Sequence, residues 1–227
     1  MISNLNPQQR SKLDPQDDSL FYRVPRFVTH VDEGFIQQLT QLYRDRLEPN
    51  TRILDLMSSW VSHLPPEMNF AQVEGLGLNG EELAKNPRLT HFTVQDLNQK
   101  TQLPYPSASF NAILIAVSVQ YLQQPEQVFS ELYRLLQPGG LVIVSFSNRM
   151  FYQKAIQAWR EGTERERVAL VKGYFRSVPG FTKPETIENL SHTPALLQFL
   201  GLGSGDPFYA VISQRSQEQS REVPEIS

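Results

Sequence analysis

The chain contains no cysteine, which excludes disulfides, thiolate nucleophiles, iron–sulfur clusters and sulfur-ligated zinc together. A basic excess is missing as well, since 21 Lys and Arg face 24 Asp and Glu for a formal net charge of −3. That balance does little to neutralise a phosphate backbone or an anionic lipid surface, so neither nucleic acid nor membrane is expected as a partner. No apolar run approaches the ~20 residues that span a bilayer, and the opening MISNLNPQQRSKLDPQDD has no apolar core segment. A cytoplasmic protein is the expectation. The histidines, His30, His63, His91 and His192, stand at no metal-ligating spacing, so no metal is expected. His63 follows Ser62, yet without a Gly-x-Ser-x-Gly elbow the pair does not point to nucleophilic catalysis.

What the sequence does contain is enough apolar material for one domain in 227 residues. Residues 1–18 and the tail 214–227 are polar and aperiodic and are expected to be flexible, which leaves a folded unit over 19–213. Val31, Phe35, Leu39, Leu42, Tyr43 and Leu47 recur at helical spacing until Pro49 breaks the pattern. Short apolar runs then predict strands at 52–57, 70–76, 89–94, 110–117 and 141–146. The near-continuous apolar character of 112–117 and 141–144 suits parallel strands covered on both faces. A helix from Pro125 carries Val128, Phe129, Leu132, Leu135 and Leu136 up to Pro138-Gly139-Gly140. Two more helices are expected over 151–159 and 164–175, followed by closing strands around 181–190 and 208–213. Gly201 to Pro207 reads as an ordinary connecting loop. Alternating strand and helix implies right-handed βαβ crossovers. The fold class is α/β, a Rossmann-like doubly wound sheet of seven strands, mostly parallel, with an antiparallel last strand.

In such sheets ligands sit outside the carboxyl ends of the strands, where strand order reverses. Four loops occupy that position: Ser58-Ser59-Trp60, Gly77-Leu78-Asn79, Gln95-Asp96-Leu97 and Ser118-Val119-Gln120-Tyr121. The stretch QDLNQKTQLPYPSASFNAILIAVSVQYLQQPEQVFSELYRLLQPGG orders an acid, a Leu-Pro-aromatic-Pro loop, a strand, a helix and Pro-Gly-Gly. Over about residues 50–150 the chain resembles the class I S-adenosylmethionine-dependent methyltransferases. The resemblance implies S-adenosylmethionine as cofactor, with Asp96 accepting from the adenine amino group, Leu97 beside the ring and Ser118 near the bound molecule. A carboxylate at a strand end is chemically suited to accept such a bond, although Asp96 can equally cap its turn.

The first loop departs from the family pattern of Asp-Leu-Gly-Cys-Gly-x-Gly, because Asp55-Leu56-Met57-Ser58-Ser59-Trp60 has no glycine. Glycines there let the backbone approach the cofactor. Ser58 and Ser59 are expected to supply donors in their place, with Asp55 and Met57 at the same site. Trp60 is expected either to plug the sheet or to lie over the sulfonium. At the second strand the family places an acid for the ribose, but the aligned residue here is Gly77 beside Leu78. Asn79 can substitute through its amide or can act as a helix N-cap. A literal G-x-G-x-x-G also runs from Gly75 to Gly80, but it follows the second strand rather than the first.

The acceptor is expected to be a small molecule between the N-terminal segment and the loop after the fifth strand, with Tyr22, Arg26, Arg149 and Phe151 as substrate-binding residues. His30 is the candidate general base, since an unperturbed imidazole titrates near neutrality. Three functions remain open from sequence: an active methyltransferase, a catalytically silent protein of that fold binding S-adenosylmethionine or S-adenosylhomocysteine, and a nucleotide-dependent oxidoreductase.

Overall fold

A computed structural model describes residues 5–189 and 205–217. The elements in order are α1 (Asp18–Phe21), α2 (Glu33–Arg46), β1 (Arg52–Leu56), β2 (Gln72–Gly77), α3 (Gly80–Lys85), β3 (His91–Val94), β4 (Phe110–Ala116), α4 (Pro125–Leu135), β5 (Leu136–Phe146), α5 (Gln157–Arg160), α6 (Glu164–Arg176), β6 (Glu185–Asn189) and β7 (Phe208–Gln214). The seven strands form a single sheet in the order β3-β2-β1-β4-β5-β7-β6. Pairing is parallel from β3 to β5, while β7 runs antiparallel to both β5 and β6. Strand order reverses between β1 and β4, which is where the ligand crevice of an open α/β sheet lies.

Period-two alternation divides the strands between two cores. On one face Leu54, Leu56, Ile113, Ile115, Val142 and Val144 pack with Val128, Phe129 and Leu132 of α4 and with Val168, Val171 and Phe175 of α6. On the other face Ile53, Leu114, Ile143, Phe208 and Ile212 pack beneath Phe35, Leu39, Leu42 and Tyr43 of α2. Because both faces are covered, the central strands carry apolar residues at nearly every position. The helices begin where their caps direct. Asp32 Oδ1 accepts from Phe35 N at the start of α2, and Thr163 with Glu166 forms a reciprocal capping box at α6.

Several elements differ from the sequence expectation for identifiable reasons. Only Gln157–Arg160 of the helix expected over 151–159 forms. Upstream, Phe151 N donates to Tyr121 Oη at 2.8 Å and Ile156 N to Gln120 O at 3.0 Å, so tertiary partners take the amides a helix would use. β5 begins at Leu136 rather than 141, running through Pro138-Gly139-Gly140. Gly139 adopts φ +80°, and a Cβ on Gly140 would meet Asn111 O at 2.9 Å. Phe181 contributes an isolated bridge to Arg215, ahead of β6. Leu190, His192 and most of the loop expected over 201–207 lie outside the described residues.

The N-terminal segment, expected to be flexible up to residue 18, is packed on the domain from Leu5 onward. Leu5 is buried, and Arg10 makes a bidentate pair with Glu126 at 2.8 and 2.9 Å. Lys12 pairs with Asp18. Lys154, with no exposed side-chain surface, contacts Asp14 at 3.0 Å and Asp18 at 3.3 Å while donating to Gln16 O at 2.9 Å. A mostly polar sequence is thus tied down by buried charge pairing rather than by an apolar face. At the other end, β7 continues to Gln214 and Arg215 N donates to Gly140 O at 2.8 Å, so the start of the expected flexible tail is part of the sheet. Replacing Asp18→Ala removes the carboxylate shared by two buried ammonium groups, and urea unfolding is expected to lose about 3–5 kcal/mol. A loss below about 1 kcal/mol would show that this cluster does not secure the segment.

Candidate functional site

The carboxyl ends of β1 to β4 open into a cavity of about 340 Å³ roofed by the N-terminal segment, a size suited to a small-molecule ligand. Every residue assigned from sequence to the cofactor or the acceptor lines it. Asp55, Met57, Ser58 and Ser59 come from the β1 end, Gly77, Leu78 and Asn79 from the β2 end, and Asp96, Leu97 and Ser118 from the β3 and β4 ends. Tyr22, Arg26 and His30 come from the roof, and Arg149 and Phe151 from the segment after β5. Their hydrogen bonds differ from what the sequence suggested in several cases.

Asp55 is buried, and its Oδ2 accepts the hydroxyls of both Ser58 and Ser62 at 2.6 Å. Ser59 Oγ donates to Glu82 Oε2 at 2.5 Å, and Ser58 N donates to Leu76 O at 2.8 Å. The two serines expected to offer hydroxyl donors to a ligand therefore spend those hydroxyls on carboxylates that hold the loop. Glycine's absence is absorbed by strain: Met57 sits at φ 58° and Val117, across the crevice at the β4 end, at φ 52°. Positive φ at a β-branched residue is an outlier of the kind that gathers at functional sites.

Gly77 has no room for the acid expected at that position. A Cβ built there would lie 2.2 Å from Ser58 O. Asn79 is also unavailable to a ribose, because Oδ1 caps α3 by accepting from Glu81 N and Glu82 N while Nδ2 donates to Tyr22 O at 2.7 Å. The G-x-G-x-x-G match dissolves into packing: a Cβ on Gly75 would lie 2.4 Å from Leu89, and the helix that follows is six residues long.

At the next strand end the two readings of Asp96 coexist. Oδ1 caps the turn, accepting from Asn98 N at 2.8 Å, whereas Oδ2 is buried without a partner. Burial raises its pKa, with the Asn98 bond opposing. Ser118 Oγ is likewise buried and unpartnered. Two orphaned polar atoms lining one cavity mark groups that a ligand can satisfy.

The roof runs across all of these loops. Trp60 lines the cavity rather than plugging the sheet. Its Nε1 donates to Val28 O at 3.1 Å and its ring meets Phe27 edge-on at 6.4 Å, stapling the roof to the β1 loop. Phe151 gathers Phe21, Tyr22, Tyr121 and His30 at centroid distances of 5.1 to 6.1 Å. His30 has its pKa lowered, chiefly by desolvation, and so is uncharged at neutral pH. Arg149 is engaged elsewhere, its Nε donating to Asp206 Oδ1 at 2.7 Å. The sequence reading missed Asp18 and Asn98, which line the cavity and hydrogen-bond each other at 2.9 Å. The pairing of Lys12 with Asp18 six residues on was the signal available, masked by the polarity around it.

Residues 61–144 match the family model described as a methyltransferase domain. Among curated proteins, the mitochondrial 2-methoxy-6-polyprenyl-1,4-benzoquinol methylase of Drosophila melanogaster is 40% identical over 83 residues, 34% of this chain and 28% of that protein. The ubiquinone/menaquinone biosynthesis C-methyltransferase UbiE of Rhizobium etli is 31% identical over 87 residues, 37% of this chain and 33% of its own. The chain thus spans about a third or less of the curated relatives it matches. Among solved structures, an S-adenosylmethionine-dependent methyltransferase from Mesorhizobium loti superposes with TM-score 0.52 at 19% identity, covering 77% of this chain and 96% of that one. The [4+2]-cyclase SpnF superposes with TM-score 0.56 at 16% identity, covering 79% and 80%. Likeness at these identities speaks for the fold.

Asp55 is a cavity carboxylate whose ionisation is displaced. Burial lifts its pKa from 3.8 to about 6, with the Ser58 and Ser62 hydroxyls opposing. The sign follows from proton counting: between those values the native state holds a proton that the unfolded chain has released, so stability falls as pH rises through the window. Asp55→Asn keeps an acceptor for both hydroxyls and removes the titration. Measured by urea unfolding between about pH 4 and pH 6.5, the wild type is expected to lose up to about 3 kcal/mol relative to this variant. Parallel curves for the two proteins would contradict a buried, displaced carboxylate.

Proposed function

The chain belongs to the class I S-adenosylmethionine-dependent methyltransferase family, and on that basis we propose that this cavity binds S-adenosylmethionine and presents its methyl group to a small-molecule acceptor in the cytoplasm. The observation that carries the reading is the pair of buried, unpartnered atoms Asp96 Oδ2 and Ser118 Oγ at the ends of β3 and β4. A purine amino group is a donor that suits the first, and Leu97 beside it offers an apolar wall. When bound, the cofactor supplies an electrophilic methyl group on a sulfonium, and the protein's work is alignment and exclusion of water.

This chain's residues divide that work. The roof, held by buried Lys154 and by the Trp60–Val28 bond, covers the cavity and limits solvent. Phe151 and Tyr22 give an acceptor flat apolar walls. His30 packs edge-on against Phe151 at 5.1 Å, is uncharged at neutral pH and can take a proton from an acidic acceptor. The benzoquinol named for the fruit-fly relative is an acceptor of this chemical type. A second reading, a catalytically silent protein binding the same cofactor, draws on the first loop: its serine hydroxyls are committed to Asp55 and Glu82 rather than to a ligand.

Both readings require the cofactor to bind, and titration calorimetry of the full chain tests that directly. S-adenosylhomocysteine is expected to bind and to raise the melting temperature, whereas NAD and NADP leave it unchanged. Asp96→Ala is expected to weaken S-adenosylhomocysteine by roughly 10-fold or more, the value of one hydrogen bond to a charged group. A melting shift from NADP with none from S-adenosylhomocysteine would overturn the assignment. Transfer of label from S-adenosylmethionine to a mixture of phenolic and quinol acceptors separates the active from the silent reading.

A further inference from the structure

A zwitterionic cofactor brings a carboxylate as well as a purine, and the serine side chains of the loop that should receive it are already committed. The hydroxyls of Ser58 and Ser59 point to Asp55 and Glu82, and the Ser58 amide is bonded to Leu76 O. Two carboxylates beside that loop would repel a third. The cavity has two guanidinium groups in its lining, Arg26 and Arg149. Arg149 is paired with Asp206 at 2.7 Å.

Arg26 differs in every respect that matters for anion recognition. Its guanidinium has no carboxylate partner among the described residues. It lies 4.5 Å from the Phe21 ring centroid and 5.5 Å from that of Phe151, and Nη2 donates to Phe21 O at 2.9 Å. The backbone N of the same residue is fixed to Glu82 Oε1 at 2.7 Å. Nη1 is buried and makes no hydrogen bond. A planar cation already oriented by stacking loses little freedom on binding, and a buried charged donor without an acceptor is costly. Both facts favour an anionic ligand group at Nη1.

We propose that Arg26 anchors the carboxylate of the cofactor's methionine moiety, so that the roof of the cavity supplies a cation where the serine hydroxyls of the glycine-free β1 loop are committed to other groups. The proposal rests on S-adenosylmethionine being the ligand. It moves Arg26, expected from sequence beside the acceptor, to the cofactor. It also makes the roof a part of the binding site, so that residues 18–31 and the strand ends must hold the ligand together.

S-adenosylmethionine and its decarboxylated form differ only in that carboxylate, which makes them the discriminating pair. By calorimetry with the full chain, the wild type is expected to bind S-adenosylmethionine at least about tenfold tighter than the decarboxylated form, and Arg26→Gln to abolish that preference by weakening the first ligand alone. Arg26→Lys, which keeps the charge without the planar fork, is expected to fall between. Should Arg26→Gln fail to fold, the wild-type preference and the Arg26→Lys affinities still decide. Equal affinity of the wild type for both ligands overturns the proposal, as does an equal loss for both in the variants. Tight, unchanged S-adenosylmethionine binding in a folded Arg26→Gln protein overturns it while leaving the assignment of the cofactor standing. Absence of binding by either ligand to the wild type defeats that assignment itself, and this proposal with it.

Discussion

Parallel pairing of β1 with β4, Ile53 to Leu56 against Ala112 to Ile115, is the constraint on which the rest depends. The strands on either side are reached by crossovers that leave in opposite directions, so the loops after β1 and β4 part and a crevice opens between them. Pairing also fixes which residues stand at its rim. Asp55 lies one position before the end of β1, level with Leu114, and Val117 N closes onto Ser145 O at 2.8 Å just past β4. A register slip of one residue would turn Asp55 toward the other face and exchange the two cores. The apolar sheet and the polar site are therefore set by the same backbone ladder.

The strand-end loops show how a site tolerates the loss of glycine. Met57 and Val117 take the left-handed conformation without the residue that adopts it freely, and each costs on the order of 1–3 kcal/mol. The carbonyl of Ser58 then comes so close to Gly77 that no side chain fits there. An acid at this position would collide with the backbone of the β1 loop.

Much of this architecture was legible in the sequence. Apolar runs without polar alternation identified the central strands because both faces are buried, and Pro125 marked the start of α4 because proline suits a first helical turn. The strand-end positions Asp55, Asp96 and Ser118 followed from the same reading, since α/β crossovers place such loops at one edge. Partner choice was not legible. Whether Ser58 faces a ligand or Asp55, and whether Asn79 is free or caps α3, depends on rotamers and on distant backbone such as Tyr22 O. The packed N-terminal segment escaped notice for a related reason. Its anchor is Lys154, 138 residues from Gln16, and charge pairing leaves no periodic trace along the chain.

The charge of the cavity bears on which ligand it suits. Asp55, Glu82 and Asp96 line it beside an Asp18 already paired with Lys12 and Lys154, against Arg26 and an Arg149 already paired with Asp206. A pyrophosphate placed among these carboxylates would face net repulsion in a site shielded from solvent, where charge interactions are strongest. A ligand bearing a sulfonium and an ammonium encounters attraction from the same groups, and its single carboxylate needs one cation. The lining contains one guanidinium without a carboxylate partner among the described residues. Dinucleotide binding is therefore disfavoured by electrostatics as well as by the placement of Gly75 to Gly80 after the second strand. The acidic lining that would repel NADP is the feature that a positively charged cofactor requires.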